Sequence, residues 1–328
     1  MTESEFLERW RSEHPVYTAW GDFVLARIHE RLIPAISPVS LNYFIKVPPQ
    51  PRLKAEDTLL DKAFKRNKNY ADPYGDITDK IGMRFVVLLT SDIPKICTVV
   101  ESEPDLWSYS KDRDYEEERL TRPLEFSYQS VHYVVRAARD IGCAGLSVPA
   151  GTPCEIQIRT LLQHAHCELT HDTLYKPKTT AKPEVKRTIA KSMALIEATD
   201  EFFASAMNSL NEAAISQAHT LAALSKLYEQ LVDQPAGTER SNSLALDAFA
   251  ERLPQDFAAA LGSFVASRPY IADRIKERRA NRLFFRQPAA LLGYFLAGTM
   301  RAQAKEHWPL DREDLAVIFS DLGMSLDH

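Results

Sequence analysis

CEIQIRTLLQHAHCELTHDTLYK, residues 154–176, changes its period in the middle. Cys154, Ile156 and Ile158 alternate with Glu155, Gln157 and Arg159, which predicts a strand with one apolar and one polar face. From Thr160, a plausible N-cap, the apolar positions Leu161, Leu162, Ala165, Leu169, Thr173 and Leu174 follow helical spacing instead. Glu155, Gln157 and Arg159 then stand about 7 Å apart in a row, two residues' rise per step. A carboxylate, an amide and a guanidinium so aligned suit a metal, a base edge and a phosphate. The solvated outer face of an edge strand shows the same alternation. His164, His166, Cys167 and His171 invite comparison with a zinc site, but no second ligand pair lies at a finger-like distance.

The chain has 328 residues, enough for a catalytic domain and a second, smaller unit. Apolar residues make up 45% and charged residues 26%, the balance of a soluble globular protein. With a net charge of -5, any phosphate site must be a local basic cluster. Cys97, Cys143, Cys154 and Cys167 show no metal or redox spacing and fit a reducing compartment. No apolar leader precedes the charged Glu3–Glu13 segment, and the apolar run Leu291–Met300 is too short to span a bilayer. The expected location is cytoplasmic, away from membranes.

Phe6, Trp10, Val16, Trp20, Phe23, Val24, Ile28 and Leu32 predict two amphipathic helices, broken near His14 and Pro15. Leu41, Tyr43, Ile45 and Val47 alternate as a strand. In RLKAEDTLLDKAFK, Arg52, Lys54, Thr58 and Lys62 mark the entry and one side of a helix beginning near Ala55. Cations and a hydroxyl at a helix N-terminus can clamp a triphosphate, and a solvated amphipathic face has the same pattern. Asp79 and Arg84 flank the start of an apolar strand, Met83–Leu89. Trp107–Tyr109 read as a strand, SKDRDYEEERLTRPLEF as a charged loop, and FSYQSVHYVVRAA as a further strand. Tyr128 offers a ring for stacking a base, and Gln129 and His132 can bond to the base or its ribose.

Taken in order, R-x-K-x-x-x-T-x-x-x-K, D-x-x-G-x-R, S-Y-Q-S-V-H and E-x-Q-x-R-T resemble the motifs of the RelA/SpoT family of nucleotide pyrophosphokinases, the enzymes that make (p)ppGpp alarmones. The resemblance extends over about 125 residues in the family's order. It implies an α/β (α+β) fold: a mixed, mostly antiparallel sheet flanked by helices, a nucleotidyltransferase-like synthetase core. It further implies transfer of pyrophosphate from ATP to the 3′-hydroxyl of GDP or GTP with Mg²⁺ as cofactor. By the same resemblance Arg52, Lys54, Thr58, Lys62 and Arg84 bind ATP, and Asp79 and Glu155 are catalytic and hold the metal. Tyr128, Gln129, His132, Gln157 and Arg159 fall to the acceptor.

Some positions depart from the family. Ser127 replaces a glycine, His166 a tryptophan and Thr58 a serine. Leu124 and Glu125 stand in a run whose family lysine holds the acceptor's 5′ phosphates, so Arg119 or Arg122 has to compensate. Family members that act as toxins instead pyrophosphorylate the 3′ end of tRNA and block translation, and weakened 5′-phosphate recognition suits them; a non-catalytic nucleotide sensor is a third reading. No HD hydrolase set precedes the core. An oligomer and an antitoxin or regulatory protein as partner are compatible with the family.

Residues 182–231 carry helical periodicity that predicts one or two long helices, and the polar stretch Asp233–Asn242 reads as a linker. The expected division is a synthetase domain over 1–232 and a small helical domain over 243–328. Within the latter, Arg274, Lys276, Arg278, Arg279, Arg282 and Arg286 with Phe284 and Phe285 read either as an RNA grip or as a solvated helix.

Overall fold

The computed structural model describes residues 1–66, 70–126, 129–170 and 182–326. These divide into two compact units, Met1–Ala206 and Met207–His328, each with its own hydrophobic core.

The first unit opens with α1, Glu3–Ala35, one helix of 33 residues in place of the two expected. Pro15 lies inside it. A proline costs about 3 kcal/mol in a helix interior, but Phe6, Trp10, Tyr17, Trp20, Val24, Ile28 and Leu32 form one buried stripe across it. Burial of four aromatic rings, two on each side of the proline, outweighs the lost hydrogen bond. The strand expected over Leu41–Val47 is absent. Leu41–Phe44 is a helical turn, α2, closed by Phe44 N donating to Ser40 O at 2.9 Å. Phe44 and Ile45 are both buried, so consecutive burial replaces alternation. The segment meets the sheet just after this turn, where Lys46 N donates to Val86 O at 2.7 Å and Val47 bridges to Val86.

Then follow β1 (Arg52–Leu53), α3 (Glu56–Leu60) continuing into a π-type turn at Asp61–Lys65, α4 (Pro73–Asp76), β2 (Ile81–Val87) and α5 (Ile93–Glu101). The strand expected at Trp107–Tyr109 extends to Arg113 as β3 (Trp107–Arg113), so the charged stretch expected as a loop supplies the end of β3 and then α6 (Tyr115–Thr121). β3 is an edge strand, where charged side chains are tolerated and hinder pairing with another chain; α6 is capped by Asp114, whose carboxylate accepts from Glu116 N at 3.0 Å. β4 (Val131–Ala137), the hairpin β5 (Ile141–Cys143) and β6 (Leu146–Val148), β7 (Pro153–Thr160), α7 (Leu161–Thr170) and α8 (Pro183–Val232) complete the run.

The five-stranded sheet has the order β1-β2-β7-β4-β3. Only β2 and β7 pair in parallel; the other pairings are antiparallel, the mixed, mostly antiparallel sheet the sequence implied. α8 is one helix of 50 residues whose first part belongs to the first unit and whose last part belongs to the second.

The second unit is helical, as expected: α9 (Ser241–Phe249), α10 (Phe257–Ala266), α11 (Tyr270–Arg278), α12 (Ala289–Thr299), α13 (Arg301–His307) and α14 (Arg312–Asp321). α12 is buried along almost its whole length. Phe284 and Phe285 join that core, while Arg278 pairs with Asp321 and Arg282 with Asp314, each at 2.9 Å. Half-exposed arginines of the basic stretch therefore serve packing within this unit. Among the described residues no helix is long and apolar enough to cross a membrane.

Candidate active site

The register of four strands builds the floor of a cavity of about 820 Å³. Gly82 of β2 lies opposite Glu155 of β7, and Arg84 opposite Gln157. On the other side of β7, His132 of β4 faces Gln157. Arg52 of β1 pairs with Gly82. Residues in register point to the same face of a sheet, so Arg52, Glu155, Arg84, Gln157 and His132 converge. Gly82 makes room for this: a Cβ there would meet Glu155 O at 3.2 Å and Glu155 Cβ at 3.3 Å.

Asp79, from the turn before β2, sits between two cations. Lys54 Nζ and Lys62 Nζ both pair with it, the latter at 2.8 Å. Burial alone would raise the Asp79 carboxyl, but the two ammonium groups hold it below the ordinary aspartate value. Glu155 behaves alike. Burial pushes it up, and His132, with Nδ1 at 3.5 Å, and Gln157, whose Nε2 donates at 2.8 Å, bring it below the usual range. Asp79 pushes in the opposite direction, as one carboxylate does on another across a shared space. Two ionised, mutually repelling carboxylates in one cavity fit a hard divalent cation, which takes one or two carboxylates and completes its shell with phosphate and water oxygens. Among the described residues no group of three His, Cys, Asp or Glu side chains comes together as a metal site.

Arg52, Lys54, Thr58, Asp79, Arg84, His132, Glu155 and Gln157 all line this cavity, and Lys62 joins it through Asp79. Arg159 does not. It is 0% exposed and donates to Gln157 Oε1, so it steadies the row from inside the sheet. Gln129 lines a neighbouring cavity of about 340 Å³ with Arg113, Tyr115, Glu118, Arg119 and Arg122. Its amide donates to Glu197 at 2.6 Å and accepts from Arg119 at 3.1 Å. Tyr128 lies outside the described residues, as do His171 and the Tyr175–Lys176 pair.

α7 and α8 add contributors to which sequence reasoning assigns no role in this cavity; the N-cap position read for Thr160 is confirmed. α7 supplies His164, Cys167 and Glu168 to the large cavity, and Glu168 pairs with Arg84 at 2.9 Å. Burial and the cations Arg159 and Arg84 lower the His164 imidazole. Thr160 and Gln163 form a reciprocal capping box at the start of α7, with bonds of 3.1 and 3.0 Å. α8 sends Glu197 to Gln129 and Asp200 to Thr160, whose Oγ1 donates at 2.7 Å. His166 is buried and faces Ile189 O at 3.3 Å and Ser192 Oγ at 3.1 Å, a packing contact between α7 and α8.

Residues 51–180 match the model of the region found in RelA / SpoT proteins. No curated protein matches the chain. Among solved structures, small alarmone synthetase 1 from Bacillus subtilis superposes with a TM-score of 0.51 at 18% identity, covering 62% of this chain and 99% of that one. The same enzyme bound to its product pppGpp gives a TM-score of 0.51 at 18% identity, over 62% of this chain and 98% of that chain. Small alarmone synthetase 2 from Bacillus subtilis gives 0.50 at 18% identity, over 61% and 99%. At such identity the likeness is one of fold. The register, the cavity and the sequence match fall on the same residues, and the chain contains, in residues 51–180, a RelA/SpoT region.

Proposed function

We propose that the chain is a pyrophosphokinase that moves the β,γ-pyrophosphate of ATP to the ribose 3′-hydroxyl of GDP or GTP, giving a (p)ppGpp alarmone and AMP. The observation that carries this reading is one cavity in which Asp79 and Glu155 face Arg52, Lys54, Lys62 and Arg84. Catalysis of phosphoryl-type transfer is mostly positioning and charge stabilisation, so this composition suits it. The acceptor 3′-oxygen attacks the β-phosphorus, the bond from that phosphorus to the α-phosphate bridging oxygen breaks, and AMP leaves with the electron pair. Lys54, Lys62, Arg52 and Arg84 balance the polyphosphate, and Thr58 adds a hydroxyl. Glu155 takes the hydroxyl proton and is oriented by Gln157 and His132. Asp79 and Glu155 would hold a Mg²⁺ ion, which would neutralise charge on the transferring group.

One observation favours tRNA as acceptor instead. Each arginine lining the smaller cavity already has a carboxylate: Arg113 pairs with Glu118 at 2.6 Å, Arg119 with Glu197 at 3.2 Å and Arg122 with Glu125 at 3.6 Å. Leu124, 92% exposed, adds no charge. A free 5′-diphosphate must displace these pairs, whereas a chain end brings no such group. The test is incubation with Mg²⁺ and γ-labelled ATP, offering GDP, GTP, ADP and deacylated tRNA in parallel. Label on GDP or GTP supports the alarmone reading; label on tRNA alone replaces it; label on no acceptor removes both.

A further inference from the structure

Lys80 follows Asp79 in the chain, yet it turns away from the cavity and into the core. It is 1% exposed. Its Nζ donates to Tyr74 O at 2.7 Å and to Ile77 O at 2.8 Å, and it lies 4.6 Å from the ring centre of Tyr74 and 5.4 Å from that of Tyr17. The box is closed by α1: Tyr74 OH donates to Glu13 at 2.7 Å, and the Arg9 guanidinium stacks 4.0 Å above the same ring. A buried ammonium is retained where its hydrogens find carbonyls and its charge finds aromatic faces. Both carbonyls belong to the segment that ends in Asp79. The Lys80 carbonyl in turn accepts from Lys54 N at 2.8 Å, so one residue fixes the backbone of a donor-site cation and of the carboxylate beside it.

Lys54 and Lys62 hold Asp79 only until a polyphosphate competes for them. The tether through Lys80 is independent of that exchange, because it acts on the backbone from the opposite side.

Resting on the pyrophosphokinase reading above, we propose that Lys80 is a positioning residue: its buried ammonium keeps the Asp79 carboxylate aimed into the cavity when Lys54 and Lys62 turn to the phosphates. It touches neither substrate nor metal. Its role is that of an outer partner that orients a ligand, a class of contact whose loss costs roughly 10–100-fold in metal affinity or activity.

The test compares wild type with Lys80→Met, which keeps the stem and removes the donors, and Lys80→Arg, which keeps donors. Mn²⁺ binding in the presence of α,β-methylene ATP is read from the paramagnetic resonance of free Mn²⁺, alongside kcat, KM for ATP and the melting temperature. Lys80→Met should weaken Mn²⁺ binding and lower kcat by about tenfold or more, with KM for ATP within about threefold, and Lys80→Arg should recover most of the Mn²⁺ affinity. Wild-type Mn²⁺ affinity and kcat in folded Lys80→Met, at any melting temperature, would overturn the proposal. If that variant does not fold, Lys80→Gln, whose amide is too short to reach both carbonyls, is judged by the same two outcomes. The Mn²⁺ arm needs no turnover. A wild type that binds Mn²⁺ and the analogue but labels no acceptor would sink the transfer reading while leaving the Lys80 effect measurable.

Discussion

At the scale of single residues the cavity rests on very little tolerance. Asp79 and Glu155 are ionised despite burial because specific partners offset the desolvation penalty. Removing either charge while keeping shape, with Asp79→Asn or Glu155→Gln, should lower kcat by about a thousandfold, several kcal/mol of lost charge stabilisation. Circular dichroism should show both variants folded, and substantial turnover in either would refute the roles given to them. Gly82 is the finer test. A Cβ 3.2 Å from Glu155 O and 3.3 Å from its Cβ is tighter than a β-ladder accommodates without shifting β7 by tenths of an ångström. Gly82→Ala should therefore cut kcat by about tenfold or more with a smaller change in KM for ATP, since misplacement by about 1 Å can cost 10²-fold. Unchanged kcat would mean that Glu155 has slack. This glycine was legible as part of a motif, but its reason, close approach to the carboxylate of the neighbouring parallel strand, needed the register.

At the scale of elements, the sequence revealed those whose period is clean and concealed those whose residues serve two demands. β7 alternates without exception from Cys154 to Arg159, and the structure returns it as a strand entering a helix. Even there the polar face divides: Glu155 and Gln157 look into the cavity while Arg159 is buried, a distinction that alternation alone cannot make. Pro15 read as a break because local propensity opposed a stripe that only tertiary burial completes. The hairpin between β5 and β6 turns at Ala144 and Gly145, both with positive φ, 49° and 78°, and lacks the Asn-Gly or Asp-Gly pair that announces such turns. α8 was legible as a helix, but Glu197 and Asp200 carried no motif and their partners lie 68 and 40 positions away. Asp200 is nearly fully buried, and burial pushes its carboxyl up to about 6 against the opposing pull of Thr160 and Arg119. With a folded value above the unfolded one, the native state binds the extra proton between about pH 4 and 6, so stability falls as pH rises through that window. The cost reaches about 3 kcal/mol above pH 6, at 1.36 kcal/mol per unit. Asp200→Asn removes this dependence. Denaturant unfolding of both proteins from pH 4 to 7 should show their stability difference changing by about that amount, and a constant difference would mean that Asp200 titrates normally.

At the scale of the whole molecule, chemistry and bulk are kept apart. The residues that line the larger cavity fall between Val47 and Glu168, whereas the second unit owns a core built around α12, in which Leu291, Leu292, Tyr294 and Leu296 are fully buried. Two cores formed from separate stretches of chain predict two unfolding steps, because cooperativity follows shared burial. Leu292→Ala should destabilise the second unit by about 2–5 kcal/mol through lost burial and the remaining cavity. Scanning calorimetry should then show one transition lowered and the other in place, and pyrophosphate transfer at 25 °C should keep its kcat and KM for ATP. If both transitions move together, α8, which contributes to both units, couples them into one cooperative body. If the transitions stay separate but kcat falls, the second unit acts on turnover by a route other than stability. Phe295→Leu in the same core serves as the milder control, since it removes less volume and should shift the same transition by a smaller amount.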